Sequence, residues 1–202
     1  MFDLDDTLHV ATPEIFNIIN YDMTTFISNE LNLNIKDSNK IRETYWKQYG
    51  ATLTGLIRNH KINPDKFLKE THKLDKIKEK IAKNKNTLLV LKKIKSNKIL
   101  LTNAPRHYAK FILKSININS FFWKKICIED NRYRPKPDIK IFQKIKKLNF
   151  NKFIFIDDNH ENIKAARVNG FFTIWINNNL KRSKYADHTI KDLSGLLKLR
   201  LN

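Results

Sequence analysis

Cysteine is almost absent from this chain: Cys127 is its single thiol. One thiol excludes an internal disulfide framework and a cysteine-built zinc site, and is expected as a small buried apolar residue. Glycine, at 4 residues, and proline, at 5, are too few for a flexible linker between domains. No apolar run approaches the roughly 18 residues of a membrane span. The first residues are acidic where a secretory leader would be basic and then apolar, so a soluble, cytoplasmic protein is expected. No internal repeat is evident. Acidic residues number only 20 against 39 lysines and arginines.

The resulting formal charge of +19 would attract nucleic-acid backbones if it were clustered. It is instead spread along the chain, together with an excess of Asn and Ile, as compositional drift in an AT-rich genome would leave it. In the densest run, Lys73 to Lys98, the residues Leu74, Ile77, Ile81, Leu88, Leu91 and Ile94 recur at roughly helical spacing. The lysines can then take the solvated face. Weak general attraction to anions is expected, with no specific nucleic-acid partner and no membrane. The sequence does not define an oligomeric state.

Apolar content of 41% in 202 residues suits one sizeable domain, or a core domain with a smaller inserted one. Short apolar segments at Met1–Asp5, Lys98–Asn103, Lys125–Glu129, Lys152–Asp157 and Phe171–Ile176 read as strands buried on both faces. Helical periods over Arg106–Ser115, Asp138–Leu148 and Asn159–Asn169 alternate with the last four, which predicts a parallel α/β sheet with right-handed crossovers. Gly170 stands where a helix C-cap belongs. The first and second strands are separated by roughly 90 residues with little strand signal, too long for a simple crossover. Helices are predicted there over Thr12–Asn32, with Pro13 in the first turn, and over Ser38–Tyr49, Leu53–His60, Pro64–Thr71 and Lys73–Ala82. The expected division is an α/β core of residues 1–11 and 84–202, with a helical insertion of residues 12–83.

In an open parallel sheet, ligands bind beyond the carboxyl ends of the strands. Those ends deliver Asp3 and Asp5, two positions apart and so on one side of an extended chain; then Thr102 and Asn103; then Lys136 within Arg134-Pro135-Lys136-Pro137-Asp138; then Asp157 and Asp158, with Asn162 one helical turn later. So many carboxylates beside one lysine require a cation, and hard oxygen donors suit Mg²⁺. A phosphate would pair with Lys136, Thr102 and nearby amides. The chemistry is that of phosphoryl transfer: Asp3 as covalent nucleophile, giving an aspartyl phosphate, and Asp5 as general acid and then base. Asp5 must be neutral for the first step.

Asp3-x-Asp5-x-Thr7, Thr102, Lys136 in its Lys-Pro setting and Asp157-Asp158, in this order, resemble the four motifs of the haloacid dehalogenase superfamily. The resemblance spans essentially the whole chain. It implies a Rossmann-like parallel sheet of strand order 5-4-1-2-3 with an inserted helical (C1-type) cap. It also implies that Asp3 is the nucleophile, Asp5 the general acid/base, and Thr102 and Lys136 phosphate ligands beside Asn103. The Mg²⁺ ligands would be Asp3, Asp157, the Asp5 carbonyl, and Asp158 directly or through water, with Thr7 and Asn162 in support. The family's carbon-halogen hydrolases lack the second aspartate, so Asp5 favours a phosphatase; a phosphomutase stays open.

Tyr45-Trp46-Lys47-Gln48-Tyr49-Gly50, followed by Gly55-Leu56-Ile57-Arg58-Asn59-His60, looks like the cap of the pyrimidine 5′-nucleotidase group. The implied substrate is a nucleoside monophosphate such as UMP or CMP. Tyr45, Trp46 or Tyr49 could stack on a base and Arg58 or His60 could meet its polar edge, or the aromatics could simply pack the bundle. Other small phosphates, such as a sugar phosphate or phosphoglycolate, are the alternative, and a noncatalytic basic binding protein is a third. His9, after the first motif, either reaches substrate or sits in a solvated loop; Arg106 and Tyr108 either border the phosphate or lie on a helix surface. Only Met1 and Phe2 precede Asp3, leaving the first strand short by roughly 7 to 10 Å. A few further apolar residues upstream, or a sheet weakened at its middle, are expected.

Overall fold

In the computed structural model, residues 1–11, 13–82 and 85–199 are described. The expected boundaries of the insertion fall at residues 12, 83 and 84, and the start of its first helix at Thr12; these lie outside the described residues, as does the stretch from 200 to 202. Five strands form: β1 (Lys98–Leu101), β2 (Phe122–Ile126), β3 (Ile154–Asp157), β4 (Phe172–Ile176) and β5 (His188–Ile190). β1 pairs with β2, and β3, β4 and β5 pair in sequence, all parallel.

The opening residues join the two groups. Phe2 bridges Leu100 on one side and Ile156 on the other. Backbone hydrogen bonds run from Phe2 to Ile99 at 2.9 Å, from Leu101 to Phe2 at 2.9 Å and from Asp3 to Ile156 at 3.0 Å. Read from β5, the order is β5-β4-β3-(1–3)-β1-β2, the expected 5-4-1-2-3 with one more strand at its edge. The middle position consists of isolated bridges. The Met1 nitrogen donates to the Ile154 carbonyl at 2.6 Å.

Side-chain alternation explains why the strands read as continuous apolar runs. Phe2, Leu100, Ile156, Ile174 and Ile176 enter one core cluster. Their chain neighbours Met1, Ile99, Leu101, Phe155 and Trp175 enter the cluster on the opposite face. Both faces are thus covered, by α6 (Lys85–Lys93) and α7 (Arg106–Ser115) on one side and α8 (Ile139–Lys146) and α9 (His160–Val168) on the other. Asp138 and Asn159 cap α8 and α9 with their side chains, and Gly170 takes the left-handed φ of 80° after α9.

Two expectations need correction. The third strand lies at Phe122–Ile126, not Lys125–Glu129: Cys127 opens a 3-10 turn in which the Asp130 carboxylate accepts the Cys127 N–H at 2.9 Å. As an edge strand exposing Trp123 and Lys124, it lacks the two-faced apolar run. The Lys73–Ala82 helix is shortened to α5 (Leu74–Ile77) and a 3-10 turn. In addition, Lys98 leaves the solvated face: it is buried, with its ammonium on the carbonyls of Ile94 and Ser96.

The insertion contains α1 (Glu14–Leu31), α2 (Ile35–Tyr49), α3 (Thr52–His60) and α4 (Pro64–Thr71). Asn34 and Asn63 cap α2 and α4 with side-chain oxygens, and Gly50 ends α2 at φ 78°, a conformation open to glycine without strain. These helices share a separate cluster of Phe26, Ile27, Leu53, Leu56, Phe67 and Leu68, which also receives Ile128 from the α/β part. A polar contact reinforces that junction, from the Tyr133 hydroxyl to Asp65 at 2.7 Å. Among the described residues, no helix is long and apolar enough to cross a membrane.

Candidate active site

Strand ends and the loops after them converge on one point. Asp3 leaves the central bridge, and Asp157 ends β3 with Asp158 after it. Lys136, on the stretch before α8, extends its ammonium between them, 2.7 Å from Asp3 Oδ1 and 2.7 Å from Asp157 Oδ2. Its side chain is 1% exposed. Asp157 is held further by the Asn159 N–H at 2.8 Å and by Asn162 Nδ2 at 3.1 Å from both oxygens. Asn162 lies on the first turn of α9, so the turn aims it back at the strand end. Thr7 donates to Asp158 Oδ1 at 3.3 Å.

Electrostatics follow from burial. Burial drives the Asp3 carboxyl well above its usual range, Asp157 and Asp158 push the same way, and Lys136 opposes them. Burial raises Asp158 to about 7, with Asp157 adding to the shift. Burial alone would lower Lys136, but the Asp157 and Asp3 carboxylates outweigh it and hold its ammonium above the ordinary lysine range. Asp3, Asp157 and Asp158 each offer an oxygen within 4.8 Å of the others. When all three are ionised, these carboxylates against one ammonium leave two negative charges, which one divalent cation would balance. The donor set is all hard oxygen, so the residues fit Mg²⁺.

Thr102 is buried just past β1, its hydroxyl accepting the Ala104 N–H at 3.0 Å. Asn103 clamps the Lys136 backbone: its Nδ2 donates to the Lys136 carbonyl at 3.1 Å, and its Oδ1 accepts the Lys136 N–H at 2.7 Å. Its amide is thereby engaged in holding the lysine rather than left open for phosphate. Asp5 points into the same cavity, and its Oδ1 meets the Tyr108 hydroxyl at 2.6 Å and His9 Nε2 at 2.8 Å.

A cavity of about 590 Å³ opens above these groups, bordered by Asp3, Asp5, Thr102, Lys136 and Asp158 below and by α1 and α2 above. Of the insertion residues singled out by sequence, Trp46 lines it; Tyr45, Tyr49, Arg58 and His60 do not. Those four pack on one another instead. The Tyr45 hydroxyl meets His60 Nε2 at 2.8 Å, and the Arg58 guanidinium covers the Tyr49 ring at 5.1 Å. Aromatic helical spacing served packing here, against Gly55, where an added Cβ would lie 2.3 Å from the Tyr45 ring.

Sequence reasoning overlooked Arg42, which borders the cavity one turn before Trp46. Its guanidinium is fixed by Asn20 at 3.0 Å, Thr24 at 3.2 Å and Asn39 at 2.8 Å. It also left His9 and Tyr108 undecided: both are buried and turned onto Asp5, and Tyr108 also lines the cavity. Tyr108 shares the apolar face of α7 with Ile112, a signal that pointed inward. Arg106 pairs with Asp130 at 2.5 Å, away from the cavity.

Comparison with known proteins agrees with this geometry. The family model of haloacid dehalogenase-like hydrolases matches residues 1–170. "Phosphate metabolism protein 8" of Saccharomyces cerevisiae is 27% identical over 182 residues, covering 82% of this chain and 57% of that protein; the chain therefore spans little more than half of that relative. A HAD phosphatase from Thermococcus onnurineus superimposes with TM-score 0.69 at 19% identity, covering 98% of this chain and 94% of that one. A 2-haloacid dehalogenase from Pseudomonas syringae superimposes with TM-score 0.59 at 16% identity, covering 98% and 95%. Phosphatase and dehalogenase thus share this fold, and fold alone does not choose between them. With the family match running across Asp3, Thr102, Lys136 and Asp157 on strand ends that converge, this chain belongs to the haloacid dehalogenase-like hydrolases.

Proposed function

We propose that this hydrolase is a Mg²⁺-dependent phosphomonoesterase working through an aspartyl phosphate on Asp3. The observation that carries the reading is the buried Asp3–Lys136–Asp157 arrangement at the floor of a cavity that Asp5 also enters. Asp3 attacks phosphorus while Asp5 gives its proton to the departing ester oxygen. Asp5 then takes a proton from water, which attacks the aspartyl phosphate and releases inorganic phosphate. Lys136 and Thr102 hold the phosphoryl oxygens, and Asn103 keeps Lys136 in place. Mg²⁺, held by Asp3, Asp157, Asp158 and the Asp5 carbonyl, would supply the positive charge that offsets repulsion between nucleophile and phosphate. Asp5 favours this chemistry over carbon-halogen hydrolysis. Helices α1–α4 act as the cap that excludes water, and the cytoplasm remains the expected location.

The substrate we favour is a pyrimidine nucleoside 5′-monophosphate such as UMP or CMP. Trp46 offers an exposed ring at the cavity wall, with the fixed positive charge of Arg42 beside it. The name of the yeast relative, a phosphate metabolism protein, agrees with a phosphorylated substrate. Inorganic phosphate release from nucleotides, sugar phosphates and phosphoglycolate, with and without Mg²⁺, tests both levels. The Asp3→Asn variant is expected to abolish release. Turnover by that variant would overturn the mechanism, and equal rates on all substrates would overturn the pyrimidine preference.

A further inference from the structure

Asp5 is the one proposed catalytic carboxylate outside the Lys136 charge cage, and a separate set of contacts holds it. Both of those contacts fall on a single oxygen. The Tyr108 hydroxyl lies 2.6 Å and His9 Nε2 2.8 Å from Oδ1, while among the described residues no group bonds Oδ2. Tyr108 is fully enclosed on α7, with the His72 ring against it edge-on at 5.6 Å, so its hydroxyl has one fixed position.

The Tyr108 hydroxyl lies against a carboxylate oxygen, which accepts, so the phenol donates. His9 Nδ1 is buried without a partner. An orphaned ring N–H is less acceptable there than a bare lone pair, which puts the His9 proton on Nε2, facing Asp5. With both neighbours donating, Oδ1 is saturated and Oδ2 is left to face the cavity.

We infer that Tyr108 and His9 are positioning residues for the general acid/base: together they lock the Asp5 carboxyl through Oδ1 and leave Oδ2 as the oxygen that exchanges a proton with the leaving group. The inference rests on the proposed phosphatase reading. In the first step the Oδ2–H bond breaks as the ester oxygen gains that proton and the phosphorus–oxygen bond cleaves. In the second, Oδ2 regains a proton from the attacking water. Tyr108 and His9 take no part in this proton exchange; each fixes an angle.

A positioning role leaves a signature that general loss of structure does not. An alkoxide leaving group, as in UMP, needs the acid; nitrophenolate, from p-nitrophenyl phosphate, departs without it. Loss of acid catalysis is worth ~10²–10⁴-fold where a proton is required. Steady-state kinetics of the Mg²⁺-loaded full chain on both substrates therefore tests the inference, with Asp5→Asn as calibration. Tyr108→Phe is expected to reduce kcat on UMP at least about tenfold more than on p-nitrophenyl phosphate, the direction Asp5→Asn takes, with KM for UMP little changed. His9→Leu should do the same and His9→Gln, which retains a donor, should recover part of the loss. Equal losses on the two substrates by folded Tyr108→Phe and His9→Leu would overturn the positioning role while leaving the phosphatase reading intact. No substrate difference in Asp5→Asn would overturn the acid role of Asp5 itself, and the inference with it.

Discussion

Replacing Lys136 with Met is the most direct probe of the buried charge cage. Met nearly matches the lysine stem in length and removes only the ammonium, which touches Asp3 and Asp157 at 2.7 Å each. Breaking a buried pair by removing one partner destabilises by about 3–5 kcal/mol. In a chain of this size 1 kcal/mol shifts Tm by about 2–4 °C, so Lys136→Met should melt roughly 6–20 °C below wild type in EDTA at pH 8. The gap should shrink at pH 5, because burial already draws Asp3 and Asp158 towards their neutral forms. Added Mg²⁺ should stabilise the variant more than the wild type, since the cation no longer competes with an ammonium for Asp3 and Asp157. Circular-dichroism melts under these conditions measure all three effects. A variant melting within about 2 °C of wild type in EDTA, or gaining less from Mg²⁺, would refute the cage argument.

Metal-free protein should also show an inverted pH response. Asp158 has its folded pKa raised to about 7 from 3.8, so the folded state binds the extra proton between those values. Its contribution to stability, on the order of 4 kcal/mol, is fully present below pH 4 and lost as pH rises through 7; urea titrations in EDTA at pH 5 and 8 would read about 3 kcal/mol of that loss, and a flat response would contradict it. Asn103→Ala removes both bonds to the Lys136 backbone and should lower kcat more than it raises KM, with about 1–3 kcal/mol lost in denaturant melts. Gly55→Ala drives a Cβ to 2.3 Å from the Tyr45 ring and should destabilise by about 1–3 kcal/mol, relieved when combined with Tyr45→Ala. Trp46→Ala should raise KM for UMP several-fold and leave p-nitrophenyl phosphate nearly unaffected, whereas Arg58→Ala, outside the cavity, should change neither; matching effects in both variants would remove α2 as the selective wall.

Sequence by itself determined the α/β class and the places of Asp3, Thr102 and Asp157 just past apolar strands; the sheet order, and with it their convergence with Lys136, was implied only by the family resemblance. Such information is local: an apolar run buried on both faces, followed by a polar residue, marks both a strand and the strand end where ligands sit. It failed where burial was one-sided or the element short, at β2 with its exposed Trp123 and at the three-residue β5. Only the tertiary structure decided which aromatics serve the cavity. Tyr45, Tyr49 and Trp46 share one helix, but the angle at which α2 meets α3 turns the first two onto Arg58, His60 and Gly55 and leaves Trp46 beside the cavity. It likewise joined His9 and Tyr108, 99 positions apart, on one oxygen of Asp5. Helical periodicity names a face but not the neighbour that the face will meet, because neighbours are set by packing between elements distant in sequence.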